Sequence, residues 1–309
     1  MIVTVTMNPA IDKTIEIDRL NRGNLNRIEK IEYDAGGKGI NVSKTIRELG
    51  GESIATGFLG GNAGRVIEEV LDSRGIKHDF VWVDGETRTN TKVCEQDGTV
   101  TELNEKGPEI TPEQLTNLLE KLDDLADDNV LFILAGSIPG NMEKDIYARI
   151  IERVHKKGAK VLLDADGELF RKGLEQKPDM IKPNQWEIEE LQGFSHGVSD
   201  KKLINVAEKM QTEGIDTVVI SLGKNGALFV CGSYVAKGMP LKVDVHSTVG
   251  AGDAMVAAMA YSFEKKMEPR ETARLCMAVS AGAVMTVGTK PPEKQLVKQL
   301  MKRVILEKV

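Results

Sequence analysis

The segment VLFILAG at residues 130–136 is apolar at nearly every position, and no other stretch limits the fold so sharply. A strand with one face in water alternates apolar and polar side chains. One that is apolar throughout must be covered on both faces, as in a parallel sheet flanked by helices. The neighbouring segments supply those helices. A helix is predicted from Pro112 to about Ala126, then helix 143–156, strand 160–164, strand 180–182, helices 185–191 and 201–211, and strand 217–222. Upstream, 2–6 and 53–59 read as strands and 40–49 and 65–73 as helices, while helices 252–264 and 271–285 close the main body. Strands alternating with amphipathic helices predict an α/β fold, with a mostly parallel central sheet and helices on both faces.

Two segments break this rhythm. Residues 14–18 and 27–33 are short strand-like runs joined by a turn containing Gly and Asn. Residues 88–95 and 99–103 form a second pair joined at Asp97-Gly98, a favoured hairpin turn. These insertions, 12–34 and 84–105, are expected to build a small β-sheet of their own. Such a sheet suits a lid over ligands at the carboxyl ends of the main strands, where open α/β sheets bind them. Decoration of the main sheet's edge is the other arrangement that the periodicity allows. No repeat or low-complexity linker divides the chain, so 1–309 reads as a single α/β domain carrying that insertion.

Composition narrows the partners. Lys and Arg number 41 against 47 Asp and Glu, a formal charge of −6, which argues against a nucleic-acid binder and leaves room for a local basic pocket. Cys94, Cys231 and Cys276 form no CxxC pair, so reduced thiols are expected rather than a disulfide framework or a zinc site. The start, MIVTVTMNPAIDK, has no basic region ahead of an apolar core. The least polar stretch, 276–288, falls short of the ~18–20 residues that a membrane span requires. A cytoplasmic location without a membrane partner is the expectation. His78, His155, His196 and His246 lie outside the glycine motifs and lack ligand spacing, so they read as surface or packing residues.

The most informative motif is STVGAGDAMVAAMAYSF at 247–263. Gly250, Ala251 and Gly252 precede a strongly apolar helical run, so their amides converge, unpaired, on one spot that suits an anion. Asp253 lies in the first turn beside it. For phosphoryl transfer, amides hold the moving charge while a carboxylate accepts the acceptor hydroxyl's proton. An ordinary helix start has the same letters. Because a helix N-terminus favours the charged carboxylate, Asp253 is expected to have a lowered pKa and to act by position more than by basicity.

Three further motifs carry chemistry. In DAGGKGINVSK (34–44), Gly36, Gly37 and Gly39 permit close backbone approach, Lys38 supplies a cation and Asn41 an amide. That is a cradle for a polyhydroxylated or phosphorylated ligand, or else a structural turn. It is not a Walker A loop, since Gly39 stands at the Ser/Thr position, and Val42 breaks a dinucleotide fingerprint. In IKPNQWEIEEL (181–191), Asn184 and Glu187 share a helix face. They suit the water shell of Mg²⁺ or simply cap the helix. SLGKNGALF, from Ser221, ends a buried strand in a Gly-rich turn that lies along a nucleotide phosphate or makes a hairpin.

In their order along the chain, GGKGIN, KPNQWE, SLGKNGA and TVGAGD resemble the ribokinase-like (PfkB) carbohydrate kinase family, and the resemblance covers essentially the whole sequence. Four stretches narrow it: TVTMNPAID, Asn26-Arg27, TRTNTK at 87–92 and TELNEKGPEI at 101–110 resemble bacterial members that act on ketohexose monophosphates. The resemblance implies a ribokinase-like sandwich with a β lid, ATP as co-substrate, and Mg²⁺. It implies phosphorylation of fructose 1-phosphate to fructose 1,6-bisphosphate, with tagatose 6-phosphate as the alternative substrate. Asp253 becomes the catalytic base, and Gly250, Ala251 and Gly252 the anion hole. Asp12, Gly37, Lys38 and Asn41 are implied to hold the sugar, and Arg88, Lys38 and Arg27 the phosphate already on it. The lid builds the dimer interface in this family, which allows Arg27 to serve a neighbouring subunit. Asn104 and Ser137 join the substrate side. Lys182, Asn184 and Glu187 are implied for nucleotide phosphate and Mg²⁺, and Ser221, Gly223 and Gly226 for the nucleotide. Ser280 is placed near an adenine pocket, where AVSAGAVMTVG lacks the asparagine of some relatives.

Two other classes fit less well. A sugar-phosphate-binding regulator without catalysis has no use for a base, and Asp253, Gly250, Gly252, Asn184 and Glu187 are all in place. An NAD-dependent oxidoreductase fails on the missing fingerprint and its acidic ribose contact.

Overall fold

Every residue of the strand Leu131–Ala135 is buried, and its side chains divide by period two. Phe132 and Leu134 enter one apolar core, Leu131, Ile133 and Ala135 the other. The computed structural model describes residues 1–309. In chain order its elements are β1 (Ile2–Thr6), β2 (Ala10–Ile17), β3 (Lys30–Gly36), α1 (Lys38–Leu49), β4 (Ile54–Leu59) and α2 (Gly61–Ser73). Then come the two-residue strands β5 (Lys77–His78) and β6 (Val81–Trp82), β7 (Arg88–Glu95), β8 (Val100–Asn104), α3 (Pro112–Leu125) and β9 (Leu131–Ala135). The middle holds α4 (Ile146–His155), β10 (Lys160–Asp164), α5 (Gly167–Leu174), β11 (Met180–Ile181), α6 (Gln185–Leu191), α7 (Asp200–Thr212) and β12 (Thr217–Ser221). A 3-10 turn at Gly223–Asn225 leads to β13 (Ala227–Cys231), β14 (Tyr234–Gly238), α8 (Ala251–Glu264), α9 (Pro269–Ala283), α10 (Lys294–Met301) and β15 (Leu306–Lys308).

The main sheet runs β15-β14-β13-β12-β11-β10-β9-β1-β4-β5, with β6 also on β4. It is parallel from β5 to β12 and antiparallel from β12 to β15. Helices α3 to α7 cover one face and α1, α8, α9 and α10 the other, each over its own apolar core. The expected α/β sandwich is therefore present. Helix α8 is buried from Asp253 to Ala260, in keeping with its lack of a polar face.

The two irregular segments do combine into a separate sheet, ordered β3-β2-β7-β8. Its central pair, β2 and β7, is parallel from Ala10↔Arg88 to Ile17↔Glu95. The edges differ from expectation: the strand predicted at 14–18 begins at Ala10, and that predicted at 27–33 lies at 30–36. Pairing of Ala10 with both Gly36 and Arg88 carries the ladder back through the NPAID segment. Ile11 and Ala35 anchor this sheet in a third apolar cluster with Ile40, Leu59 and Ile67. Helices α5 and α10 and strands β13, β14 and β15 lie beyond the predicted elements. No helix is long and apolar enough to cross a membrane.

Candidate active site

The carboxyl ends of β1, β9 and β10 and the N-termini of α1 and α8 converge on one cleft. Gly250 caps α8 with φ 82°, and Asp253, 8% exposed, sits in the first turn. Asn41, in the first turn of α1, donates from Nδ2 to Asp253 Oδ2 at 2.9 Å. Burial, and next the negative charge of Asp164, push the Asp253 carboxyl up to about 6, against the pull of Lys38, Asn41 and Lys182. This corrects the lowered pKa expected from the helix N-terminus: desolvation and a like charge outweigh the dipole. Asp253 is therefore a stronger base than the sequence suggests.

Asp164, at the end of β10, joins the cationic residues. Lys38 Nζ lies 3.3 Å from its Oδ2 and Lys182 Nζ 3.2 Å from its Oδ1. Burial opposes the charge on Asp164, but the two ammoniums overcome it and hold the carboxyl below its usual range. Burial likewise opposes the charge on Lys38, yet Asp164, Asp253 and Glu187 hold its pKa above the ordinary value. Lys182 Nζ also stands 3.4 Å from the point where a side chain on Gly252 would begin, which places it at the mouth of α8. Sequence reasoning missed Asp164. A carboxylate closing a buried parallel strand was the available signal.

The other side of the cleft is lined by the small sheet. Arg88 Nη2 donates to the Asn8 carbonyl at 3.0 Å and to Ser137 Oγ at 3.3 Å, and Nη1 to the Glu105 carbonyl at 3.3 Å. Asn90 Nδ2 donates to Asp12 Oδ1 at 3.2 Å, and burial raises the Asp12 carboxyl. Gly37, at φ 109°, has room for nothing larger, because a Cβ there would stand 2.8 Å from Thr6 Cγ2 and 3.1 Å from Pro9 Cα. Four buried polar atoms around this cleft have no partner: Thr6 Oγ1, Asn8 Oδ1, Asn41 Oδ1 and Asn90 Oδ1. Orphaned buried acceptors and hydroxyls are rare, and here they gather on one side of the cleft. Thr6, Asn8 and Asn90 were not among the predicted site residues, although TMNPAID and TRTNTK contain them. Asn104 pairs with Asn90 across β7 and β8 and is exposed. Arg27 is exposed in the loop between β2 and β3.

A separate cavity of about 400 Å³ opens on the far side of the α8 N-terminus. Ser221, Gly223, Gly226 and Ser280 all line it, together with Ala251 and Gly252. The SLGKNGA segment forms the hairpin between β12 and β13, and its Ser221, Gly223 and Gly226 line this cavity. Asn184 and Glu187 form a reciprocal capping box: Glu187 N donates to Asn184 Oδ1 at 2.9 Å and Asn184 N to Glu187 Oε2 at 2.8 Å. Burial raises the Glu187 carboxyl, which also senses Lys182, Asp164 and Lys38. The histidines behave as expected. His78 pairs with the exposed Asp72, His155 with the mostly buried Asp179 and His196 with the buried Glu189, and His246 is exposed. No cluster of three or more His, Cys, Asp or Glu has metal-binding geometry, and the three cysteines are free.

The chain matches the model described as pfkB family carbohydrate kinase over residues 5–296. It is 34% identical over 310 residues to the 1-phosphofructokinase of Borreliella burgdorferi, spanning 100% of this chain and 99% of that one. To the 1-phosphofructokinase of Haemophilus influenzae it is 35% identical over 284 residues, 92% of this chain and 90% of that one. Among solved structures, phosphofructokinase-2 from Escherichia coli in complex with substrates and products superposes with a TM-score of 0.93 at 25% identity, covering 98% of each chain.

Proposed function

Because the chain belongs to the pfkB family of carbohydrate kinases, we propose that it transfers the γ-phosphoryl group of ATP to the 6-hydroxyl of fructose 1-phosphate. The observation that carries the mechanism is the position of Asp253. It lies between the cleft of orphaned polar groups and the Ser221–Ser280 cavity, at the helix terminus that the two share. On this reading the sugar occupies the first and the nucleotide the second, so the acceptor hydroxyl meets the γ-phosphorus beside the α8 amides.

Each group then has a role. Asp253, held by Asn41, takes the hydroxyl proton as the new O–P bond forms and the bond from the γ-phosphorus to the bridging oxygen breaks, that oxygen leaving on ADP. The amides of residues 250–252 face the charge on the moving phosphoryl group. Lys38 and Lys182, fixed by Asp164, balance that charge from either side. Arg88 is the clamp for the phosphate already on the sugar, with Ser137 beside it. Asp12, Asn41, Asn90 and Asn8 read the sugar hydroxyls.

Magnesium fits the nucleotide side. Glu187 commits one carboxylate oxygen to the capping box, and with Asn184 it offers a small oxygen donor set. That set suits a cation held mainly by nucleotide phosphates and water rather than by a protein cage. When bound there, the ion would neutralise phosphate charge. The small sheet also supports dimerisation through its exposed apolar residues, among them Ile31, Tyr33 and Leu103. A pair of such sheets would bring the partner's loop, Arg27 included, towards the sugar phosphate. The substrates, together with the free thiols, fit a cytoplasmic enzyme.

The test is ADP release with ATP and Mg²⁺ against fructose 1-phosphate, tagatose 6-phosphate and fructose 6-phosphate in parallel. The highest kcat/KM is expected for fructose 1-phosphate. Preference for tagatose 6-phosphate would overturn the substrate and keep the chemistry. A folded protein that binds sugar phosphate without turnover would make it a regulator.

A further inference from the structure

Lys44 is a charged side chain with no solvent exposure and no part in the chemistry described above. Its ammonium donates to Asp34 Oδ2 at 2.9 Å and to the Ala35 carbonyl at 2.7 Å, both on β3, and reaches Thr289 Oγ1 at 3.5 Å. Thr289 Oγ1 donates to the same Asp34 oxygen at 2.8 Å. Two neighbouring elements, the small-sheet strand β3 and α1, thus meet the distant loop between α9 and α10 at one cation. Burying an ammonium is costly and a single carboxylate repays it only in part, whereas a methionine would fill the volume without that cost. What the ion pair adds is a fixed geometry.

That geometry bears on α8. The Cγ2 and Cα of Thr289 lie 3.4 and 3.6 Å from the point where a side chain on Gly250 would begin, so the loop backs directly onto the helix cap. The segment before Gly250 is tied to the same region, because the His246 and Ser247 amides both donate to the Val284 carbonyl, at 2.8 and 3.2 Å. Asn41 and Lys44, three apart on α1, therefore serve two sides of one helix turn. Asn41 holds the Asp253 carboxylate, and Lys44 reaches Thr289, which packs against Gly250.

We propose that Lys44 is a positioning residue for phosphoryl transfer: its bonds to Asp34 and Thr289 lock the loop behind Gly250 and so fix the amides of residues 250–252 where the moving charge arrives. The inference rests on the kinase reading of the cleft. Since Asp34 and Ala35 belong to the small sheet, the same bonds join that sheet to the anion-binding turn.

Two variants test this. Lys44→Met keeps the volume and removes the charge, and Thr289→Val removes only the bridging hydroxyl. On each folded variant, steady-state kinetics are measured with ATP and fructose 1-phosphate, and hydrogen–deuterium exchange of 246–252 and 286–291 without ligands. The expected result is a kcat lower by roughly 10–100-fold in Lys44→Met, the scale of a small misplacement of reacting groups, and a smaller loss in Thr289→Val. KM for both substrates stays within about threefold, exchange at 246–252 quickens, and the double variant is no worse than Lys44→Met alone. A lower melting temperature with kcat within about twofold of wild type in the folded variants would overturn the proposal, as would unchanged exchange at 246–252. If Lys44→Met does not fold, Thr289→Val decides the matter by the same criteria. A wild-type enzyme inert towards every ketohexose phosphate refutes the substrate reading instead, and exchange alone then decides the mooring.

Discussion

Asn41 Nδ2 donates to Asp253 Oδ2 at 2.9 Å across the seam between α1 and α8, joining the first turns of the two helices. The bond stabilises the ionised carboxylate, whereas burial and Asp164 oppose it, and the balance leaves the carboxyl at about 6. A base must be ionised to act, so kcat is predicted to fall on the acid side with a limb near pH 6. Asn41→Ala removes a lowering influence and moves the limb upward. Asp164→Asn removes a raising one, frees Lys38 and Lys182, and moves the limb downward. The profile of kcat against pH for the three proteins checks all three directions.

The same carboxyl makes a stability prediction with a definite sign. Its folded pKa, about 6, lies above the ordinary value of 3.8. The folded state therefore binds the proton more tightly, and that advantage is present below about pH 4 and lost as pH rises through 6. At pH 7.5 the charged carboxylate is a net cost on the order of 3 kcal/mol. Asp253→Asn is predicted to melt higher than wild type at pH 7.5 and to match it near pH 4. Urea unfolding at both pH values measures the difference.

Removing Asp164 acts in the opposite direction, because it strands two ammoniums that are now paired on either oxygen. Asp164→Asn is predicted to destabilise the fold by about 3–5 kcal/mol, the usual result of breaking a buried pair from one side. Denaturant titration at pH 7.5 tests it.

Arg88→Ala is predicted to raise KM for the sugar phosphate by roughly 10–100-fold, the worth of charge-assisted hydrogen bonds to phosphate. KM for ATP is expected to stay near wild type, since Arg88 touches Asn8, Ser137 and Glu105 and no residue of the Ser221–Ser280 cavity. Arg88→Lys restores only part of the loss, because an ammonium lacks the planar fork. Initial rates with each substrate varied in turn separate these outcomes.

Two glycines of one turn are predicted to differ. A Cβ on Gly226, at φ 94°, would stand 1.9 Å from the Gly238 carbonyl oxygen, so Gly226→Ala must distort the β13–β14 pairing next to the Ser221–Ser280 cavity. Gly223, at φ 56°, faces open space, and Gly223→Ala carries only the roughly 1–2 kcal/mol of a left-handed backbone. KM for ATP and the melting temperature are expected to change markedly in the first variant and slightly in the second.

The fold was readable wherever a single segment carries its own signal. VLFILAG announced a strand buried on both faces, and Asp97-Gly98 announced the hairpin between β7 and β8. The bounds of β2 and β3 slipped because the ladder is extended by the pairing of Ala10 with Gly36 and Arg88, which local propensity does not see. The site divides in the same way. Gly250, Gly252, Asn41, Arg88 and Ser137 stood in recognisable motifs and meet in the cleft. Asp164 stood in none, and it gains its role only when β10 is laid between β9 and β11, bringing Lys38 and Lys182 to its two oxygens. The pKa of Asp253 departs from expectation for that reason: the helix dipole is legible in the first turn, whereas burial and a carboxylate on a distant strand are not.

The role of Asp253 is tested at its root by the turnover of Asp253→Asn with fructose 1-phosphate and ATP, measured beside its binding of each substrate by calorimetry. The predicted result is a kcat lower by roughly 10²–10⁴-fold, the contribution of a general base, with both dissociation constants within about threefold of wild type. A variant that keeps near-normal turnover, or that loses turnover only because a substrate no longer binds, would contradict the role assigned to Asp253.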